Sequence, residues 1–337
     1  MRAPDFWNEP PGSSVSLLAG LLTPVGAALD AAGRLRRAVV RPYRAPVPVI
    51  CVGNLVVGGS GKTPVALSLA RLFTERGIAV HVVTRGYGGK LAGPMQVDAA
   101  RHDADAVGDE ALLLATVAPC WVAKDRAAGV AAAAKAGAEA ILLDDGFQNP
   151  SIAKDLSLVI IDAEYGFGNG RVIPAGPLRE RVAAGLARAD AVVLIGDAPT
   201  TELVAASCPI LRAAVEPVNR DHFKNARIVA FAGIGRPEKF FAMLHRLGAQ
   251  LVAKHAFADH HPYRANEIAR LRETAARLDA RLVTTAKDWV RLPPDLRIGI
   301  DVLDIEIRWR EPAMLEQILG AFLPQAGDGR DARAARG

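Results

Sequence analysis

Only three cysteines occur in 337 residues, Cys51, Cys120 and Cys208, and no two of them form a CxxC or a Cys/His cluster. That spacing excludes a disulfide scaffold and a structural zinc site, and it suits a reducing compartment. No apolar run reaches the ~20 clean residues that a spanning helix needs. The nearest candidate, residues 15–32, is interrupted by Gly20, Pro24, Gly26 and Asp30. It also lacks the charge order of a secretory signal, because Asp5 and Glu9 outweigh Arg2 before it and the basic residues come after it. No internal repeat is present. Acidic residues are missing between Ala31 and Thr74, where Arg34, Arg36, Arg37, Arg41, Arg44, Lys62 and Arg71 fall. The net charge of +5 is therefore concentrated there, and the remainder of the chain is close to neutral. A local excess of this kind points to local anionic partners, not to the broad basic surface of a nucleic-acid binder.

What the chain does have is apolar content for a full core: 50% of residues are hydrophobic and 23% charged, enough for two domains. From residue 47 onward, short apolar runs alternate with helix-period segments. Runs at 47–52, 78–83, 120–123, 138–145, 156–162, 191–195 and 227–233 read as strands, and 64–76, 109–117 and 125–135 as helices. Such alternation predicts an α/β fold with a mostly parallel sheet covered by helices on both faces. After residue 219 the units shorten, with helices expected at 238–247 and 265–278 and a strand at 250–254. The expected organisation is an N-terminal apolar helix and basic segment (1–44), a nucleotide-binding domain (45–220), a smaller C-terminal α/β domain (221–324) and a small, polar, disordered tail (325–337).

The strongest local signal is GNLVVGGSGKTP, residues 53–64, directly after a predicted strand and opening a predicted helix. Gly58, Gly59 and Gly61, with Ser60 between them, let backbone N–H groups converge on phosphate oxygens at a helix N-terminus. Lys62 would neutralise the β- and γ-phosphates, and the Thr63 hydroxyl would face Mg²⁺. The strict GxxxxGK[ST] pattern wants glycine at position 56, where this chain has Val56. Downstream, ILLDDGFQN ends an apolar strand in Asp144 and Asp145, at the carboxyl edge where open α/β sheets bind ligands. A carboxylate there can hold Mg²⁺ directly or through water. A guanine-reading NKxD is absent, since Lys287 and Asp288 in TTAKD are adjacent. Two further groups carry open readings. Asp109 stands at a predicted helix start, where a carboxylate is also a routine N-cap. His260 and His261 form an Asp-His-His run that suits acid/base work or a surface turn.

Taken together and in order from about residue 41 to 292, VGNLVVGGSGKTP, TRGYGG, VGDEALLL, KDR, LDDGFQ, PAGPLRE, FAGIGRPEKFF, FADHH and TTAKDWVRL resemble the tetraacyldisaccharide 4'-kinase family, the lipid A 4'-kinases. That family has a VGGxGKT loop, which accommodates Val56. It usually shows histidine where this chain has Asn149.

The resemblance implies a P-loop fold. It implies transfer of the γ-phosphoryl group of ATP to the 4'-hydroxyl of an acylated glucosamine disaccharide 1-phosphate, giving lipid IVA. Carried over by motif, Asp109 becomes the acid/base residue paired with His260, while Lys62 and Thr63 keep the roles above. Asp144, Asp145 and Glu180 become candidates for Mg²⁺, and Arg126 and Arg179 for phosphate contact. With Asp109 in the first domain and His260 in the second, the site is expected in the cleft between them. A four-chain lipid stays in the bilayer, so the resemblance also implies peripheral association of the 15–32 run and its arginines with the cytoplasmic face of the inner membrane.

Overall fold

A computed structural model describes residues 4–9, 17–197, 207–320 and 322. The tail expected to be disordered, 325–337, lies outside the described residues. The first unit is built on a nine-stranded sheet: β1 (Val49–Gly53), β2 (Val80–Thr84), β3 (Met95–Gln96), β4 (Cys120–Val122), β5 (Ala140–Asp144), β6 (Leu156–Asp162), β7 (Ala191–Ile195), β8 (Ile210–Pro217) and, far along the chain, β13 (Ile305–Trp309). The spatial order is β13-β8-β7-β6-β1-β5-β2-β4-β3. The strands from β8 to β4 run parallel, and antiparallel strands close both edges.

Helices cover both faces, which is why the central strands read as unbroken apolar runs. Alternate residues of β1 feed opposite cores. Ile50 and Val52 meet Val65, Leu69 and Phe73 of α2 (Lys62–Glu75), whereas Val49 and Cys51 lie with Val130 and Ala133 of α5 (Arg126–Lys135). Shorter helices α3 (Ala104–Val107), α4 (Asp109–Leu114) and α6 (Val182–Leu186) complete the layers around the carboxyl edge.

The second unit carries a four-stranded parallel sheet in the order β10 (Gln250–Ala256), β9 (Arg227–Ala232), β11 (Arg281–Thr285), β12 (Ile300–Leu303). Phe240, Phe241 and Leu244 of α7 (Pro237–Arg246) pack on one face, and Ile268, Leu271 and Ala275 of α8 (Ala265–Arg277) on the other. A one-turn helix, α9 (Ala286–Trp289), follows β11. Strand pairing differs from an independent C-terminal unit running to residue 324. Beyond Asp304 the chain returns to the first sheet as β13, and Leu315 and Leu319 of α10 (Pro312–Gly320) join its core. The sequence offered no signal for this, because an amphipathic edge strand looks the same whichever sheet it joins.

Helix α1 (Leu17–Val39) is longer than the apolar run and includes Arg34, Arg36 and Arg37 in its last turns. Ala19, Gly26 and Asp30 form its buried stripe, with Asp30 accepting from Arg181 Nε at 2.9 Å and lying 3.4 Å from Arg34 Nε. Leu17, Leu18, Leu21, Val25 and Leu29 point to solvent, Leu21 at 75% exposure. No helix among the described residues is long and apolar enough to cross a membrane.

One close contact sets the height of the strand that launches the phosphate loop. A Cβ placed on Gly53 would sit 2.4 Å from Phe147 Cβ, in a fully packed interior. Gly53→Ala is therefore expected to destabilise the protein by about 1–3 kcal/mol through overpacking. The check is a lower urea midpoint at unchanged slope.

Candidate active site

The loop after β1 is held from inside. Asn54, fully buried, donates from Nδ2 to Val56 O at 2.7 Å and to Ser60 Oγ at 2.8 Å, tying the two arms of the loop together. Val56 forms an antiparallel bridge with Leu178 of the PAGPLRE segment, and Val57 N donates to Pro177 O at 2.8 Å. The position where the strict motif has glycine is thus a packed one, for which valine is suited. Gly61 caps α2 with φ of 85°, and a Cβ there would lie 2.5 Å from Ile195 Cδ1. The left-handed backbone favours glycine, and a larger residue would also have to move the Ile195 side chain. Lys62 and Thr63 then open α2, where unpaired N–H groups and the helix dipole favour phosphate.

Asp144 and Asp145 end the neighbouring strand, as expected, but in different environments. Asp145, at φ of 52°, accepts both arms of the Arg179 guanidinium, at 2.9 and 3.1 Å, and lies 3.8 Å from Lys62 Nζ. Its burial favours the neutral acid, yet Lys62 and Arg179 hold its carboxyl below the ordinary range. Burial pulls the Lys62 ammonium down, against the attraction of Asp145. Asp144 is 1% exposed and is pushed up to about 7 by burial, with the charges of Glu110 and Asp145 adding to it. Its Oδ2 accepts from Thr84 Oγ1 at 3.4 Å, whereas its buried Oδ1 has no hydrogen-bond partner among the described residues. A buried, unpartnered carboxylate oxygen beside a phosphate loop is the donor chemistry a hard divalent cation takes.

Three sequence expectations need correcting or refining here. Glu180 does not join the aspartates. Both its oxygens accept from Arg188 Nη2 at 2.6 Å, and Gln148 and Arg37 complete the set at 3.2 and 3.3 Å. Two guanidiniums already neutralise it, so a metal would have to displace them. Arg179 and Arg126 serve Asp145: Arg126 Nη2 donates to its backbone carbonyl at 3.1 Å. Asp109 is not a helix cap, because Gly108 holds the cap position of α4 and Asp109 is its first residue.

Across the cleft, the second unit meets Asp109 directly. His260 Nδ1 lies 3.0 Å from Asp109 Oδ2, although the two residues are 151 apart in sequence. His260 adopts φ of 57° in the turn after β10, its N–H bonding Gly233 O at 3.1 Å. A non-glycine residue in that region costs free energy, and the surrounding bonds impose it at the point of use. The Tyr87 ring of the TRGYGG loop lies 5.3 Å from the imidazole. His261 instead meets Glu267 at 3.1 Å and stacks on Phe257, while Asn149 accepts Ser151 N within its own turn.

Sequence reasoning gave no role to the residues that support this pair. Arg291 Nε donates to Asp109 Oδ2 at 2.6 Å and its Nη2 lies 2.5 Å from the same oxygen. Lys287 reaches Glu110 at 3.2 Å and Asp109 at 3.9 Å. Arg291 is itself oriented by Asp288, at 3.0 Å, and Gly233 O, at 2.6 Å. Asp288, fully buried, also accepts from Gly233 N at 2.8 Å and Tyr263 OH at 2.7 Å. Burial of Asp109 works against its charge, but the His260 hydrogen bond and the Lys287 and Arg291 cations hold its carboxyl well below the usual range. The signal was present as Lys287, Asp288 and Arg291 at helical spacing in TTAKDWVRL.

With this geometry in view, the comparisons with known proteins are specific. A profile of the family described as Tetraacyldisaccharide-1-P 4'-kinase matches residues 18–323. The chain is 54% identical over 332 residues to the tetraacyldisaccharide 4'-kinase of Rhodospirillum centenum, spanning 97% of this chain and 98% of that one. It is 50% identical to that of Rhodospirillum rubrum, spanning 96% and 98%. The fold superposes with a TM-score of 0.74 on LpxK of Aquifex aeolicus, solved in complex with ATP, at 26% identity over 91% of this chain and 100% of that one. Phosphate loop, paired aspartates and cross-cleft dyad thus occur together in a chain that belongs to the tetraacyldisaccharide 4'-kinase family.

Proposed function

We propose that this chain transfers the γ-phosphoryl group of ATP to the 4'-hydroxyl of an acylated glucosamine disaccharide 1-phosphate, at a membrane surface. The observation that carries the reading is the Asp109–His260 pair, assembled from two units beside a phosphate loop. A phosphate loop alone serves hydrolysis and switching equally well. An acceptor hydroxyl additionally needs a base, and the dyad supplies one.

Gly58, Gly59, Ser60 and Gly61 present backbone N–H groups to the nucleotide phosphates, and Lys62 places its charge on the transferring group. Asp145, Arg179 and Arg126 hold that lysine and the strand end in place. Asp144 and the Thr63 hydroxyl would hold Mg²⁺, which when bound offsets charge on the β- and γ-phosphates. Asp109, kept ionised by Arg291 and Lys287, is too weak a base to take the proton itself. It accepts the Nδ1–H of His260, which leaves the Nε2 lone pair to receive the 4'-hydroxyl proton. The outward apolar side of α1 and the arginines at its end suit an anionic bilayer surface, where such an acceptor resides.

Four measurements test this reading. Purified protein given labelled ATP and the lipid acceptor is expected to move label to the 4' position, and Lys62→Ala to lose roughly 10²-fold or more in rate. Wild-type protein that binds ATP yet transfers no label would overturn the assignment. Asp109→Asn is expected to lower kcat about 10²–10⁴-fold with little change in KM for ATP. The same variant carries a pH signature. Because the folded-state pKa of Asp109 is depressed, its contribution to stability is present above the ordinary carboxylate range and fades as pH falls below it. The thermal midpoint of Asp109→Asn should lie below that of the parent at pH 7, and the gap should narrow as pH drops below about 4. Finally, Leu21→Glu with Val25→Glu should reduce partition onto anionic vesicles by roughly tenfold or more, with ATP affinity unchanged. Equal partition would remove α1 as the membrane contact.

A further inference from the structure

Among the described residues, the chain crosses between the two units at two places, from β8 into β9 and from β12 into β13. These crossings run side by side: Val218 N donates to Asp304 O at 3.0 Å, and Asn219 Nδ2 to Val302 O at 2.9 Å. A paired crossing at one side is a hinge, so the angle between the units is set by non-covalent contacts elsewhere. Among the described residues, two ionic contacts span the cleft. One is the cluster of His260, Lys287 and Arg291 around Asp109 and Glu110. The other involves residues without a role so far. Asp162, at the carboxyl end of β6, accepts from Arg236 Nη1 at 2.9 Å and from Lys239 Nζ at 2.8 Å. Lys239 also pairs with Glu164 at 2.8 Å, and the Arg236 guanidinium lies 4.2 Å over the Tyr165 ring. Arg236 and Lys239 stand at the start of α7 in the second unit.

Sheet order places the two contacts on opposite sides of the phosphate loop. β1, which launches the loop, has β5 and the Asp109 side to one flank and β6 to the other. Asp162 is in register with Ile195, whose side chain abuts Gly61 of the loop. Held only on the Asp109 side, where Val290 also packs into the core of the first unit, the second unit is fixed along one edge of the cleft, and a small rotation about that edge misaligns a 3.0 Å hydrogen bond. A second contact across the loop removes that freedom.

We propose that Asp162, Arg236 and Lys239 form a closure latch whose role is to position His260 against Asp109 over the bound nucleotide. Asp162 is a positioning residue and does not touch the reacting atoms. The proposal rests on the kinase reading for its kinetic arm only. Asp162→Asn keeps the shape and removes the charge, and it is expected to lower kcat roughly tenfold or more while the ATP dissociation constant stays within about twofold. Asp162→Glu should recover most of the loss, and added salt should depress the parent towards the Asn variant. Small-angle X-ray scattering of the ATP-bound full chain, without acceptor, should show a larger radius of gyration for Asp162→Asn than for the parent at an unchanged thermal midpoint. Wild-type kcat in Asp162→Asn, or a lowered kcat with unchanged scattering, would overturn the latch. A parallel loss of ATP affinity would overturn it too, assigning Asp162 to the nucleotide site. Since scattering needs no lipid acceptor, a failure of the kinase reading and a failure of the latch are read separately.

Discussion

Everything at this site depends on a carboxylate kept ionised inside a protein. Asp109 is almost fully buried, and burial alone would favour its neutral form. What reverses that preference comes from the other unit: His260, Lys287 and Arg291 all converge on one oxygen, Oδ2, while Oδ1 accepts Glu110 N at 2.8 Å. The first unit by itself would hold Asp109 without these partners. The second by itself would leave the Arg291 guanidinium, 4% exposed in the assembled protein, half served by Asp288. Each unit therefore carries an electrostatic debt that only contact with the other settles, and the contact that settles it includes the Asp109–His260 pair. On the proposed reading, closure also brings the base to the site, which suits an enzyme that must withhold its phosphoryl donor from water.

The same logic explains the division of labour between the two aspartates of the β5 edge. They are adjacent in sequence and would be equivalent to a reader of motifs. Asp145, in the left-handed region, turns its carboxylate towards Lys62 and Arg179 and is neutralised by them. Asp144, in regular strand geometry, sends its carboxylate inward, where only Thr84 meets one oxygen. A cation brought by a nucleotide would meet less competition at Asp144, which forms no ion pair among the described residues. The alternation of strand side chains and one backbone dihedral thus give two adjacent aspartates different surroundings.

The large sheet and the phosphate loop were legible because their signals are local: apolar runs bounded by turn residues, and glycines forced by backbone conformation. The Asp109–His260 pair was legible only through resemblance, since nothing local relates two residues 151 apart. What escaped was whatever depends on partners distant in the chain. Glu180 looks like any acidic residue after PAGPLR until Arg37 and Arg188 are placed against it. Arg291 looks like a solvated helix charge until the cleft buries it. Strand β13 has an alternating pattern that fits either sheet, and its pairing with β8 is decided by where the crossing from Asp304 emerges.

The PAGPLRER segment ties helix α1 to the phosphate loop. Its backbone bridges Val56 through Leu178, and Arg179 N donates to Leu55 O at 2.8 Å, so it forms one wall of the phosphate loop. Over the next residues its side chains point in turn to three structures. Arg179 grips Asp145, Glu180 meets Gln148 and Arg37, and Arg181 holds the buried Asp30 of α1. Gln148 closes the circuit by donating to Asn54 O at 2.8 Å, at the root of the loop. A helix whose outer side is apolar is thereby fixed to the glycine-rich loop through four consecutive residues, Leu178 to Arg181. Even fully extended, a chain spans at most about 3.3–3.6 Å per residue, so the helix and the loop cannot drift far apart without breaking several charge-assisted bonds at once. On the proposed reading, in which α1 meets a bilayer that holds the lipid acceptor, this short segment would fix the separation between acceptor and donor.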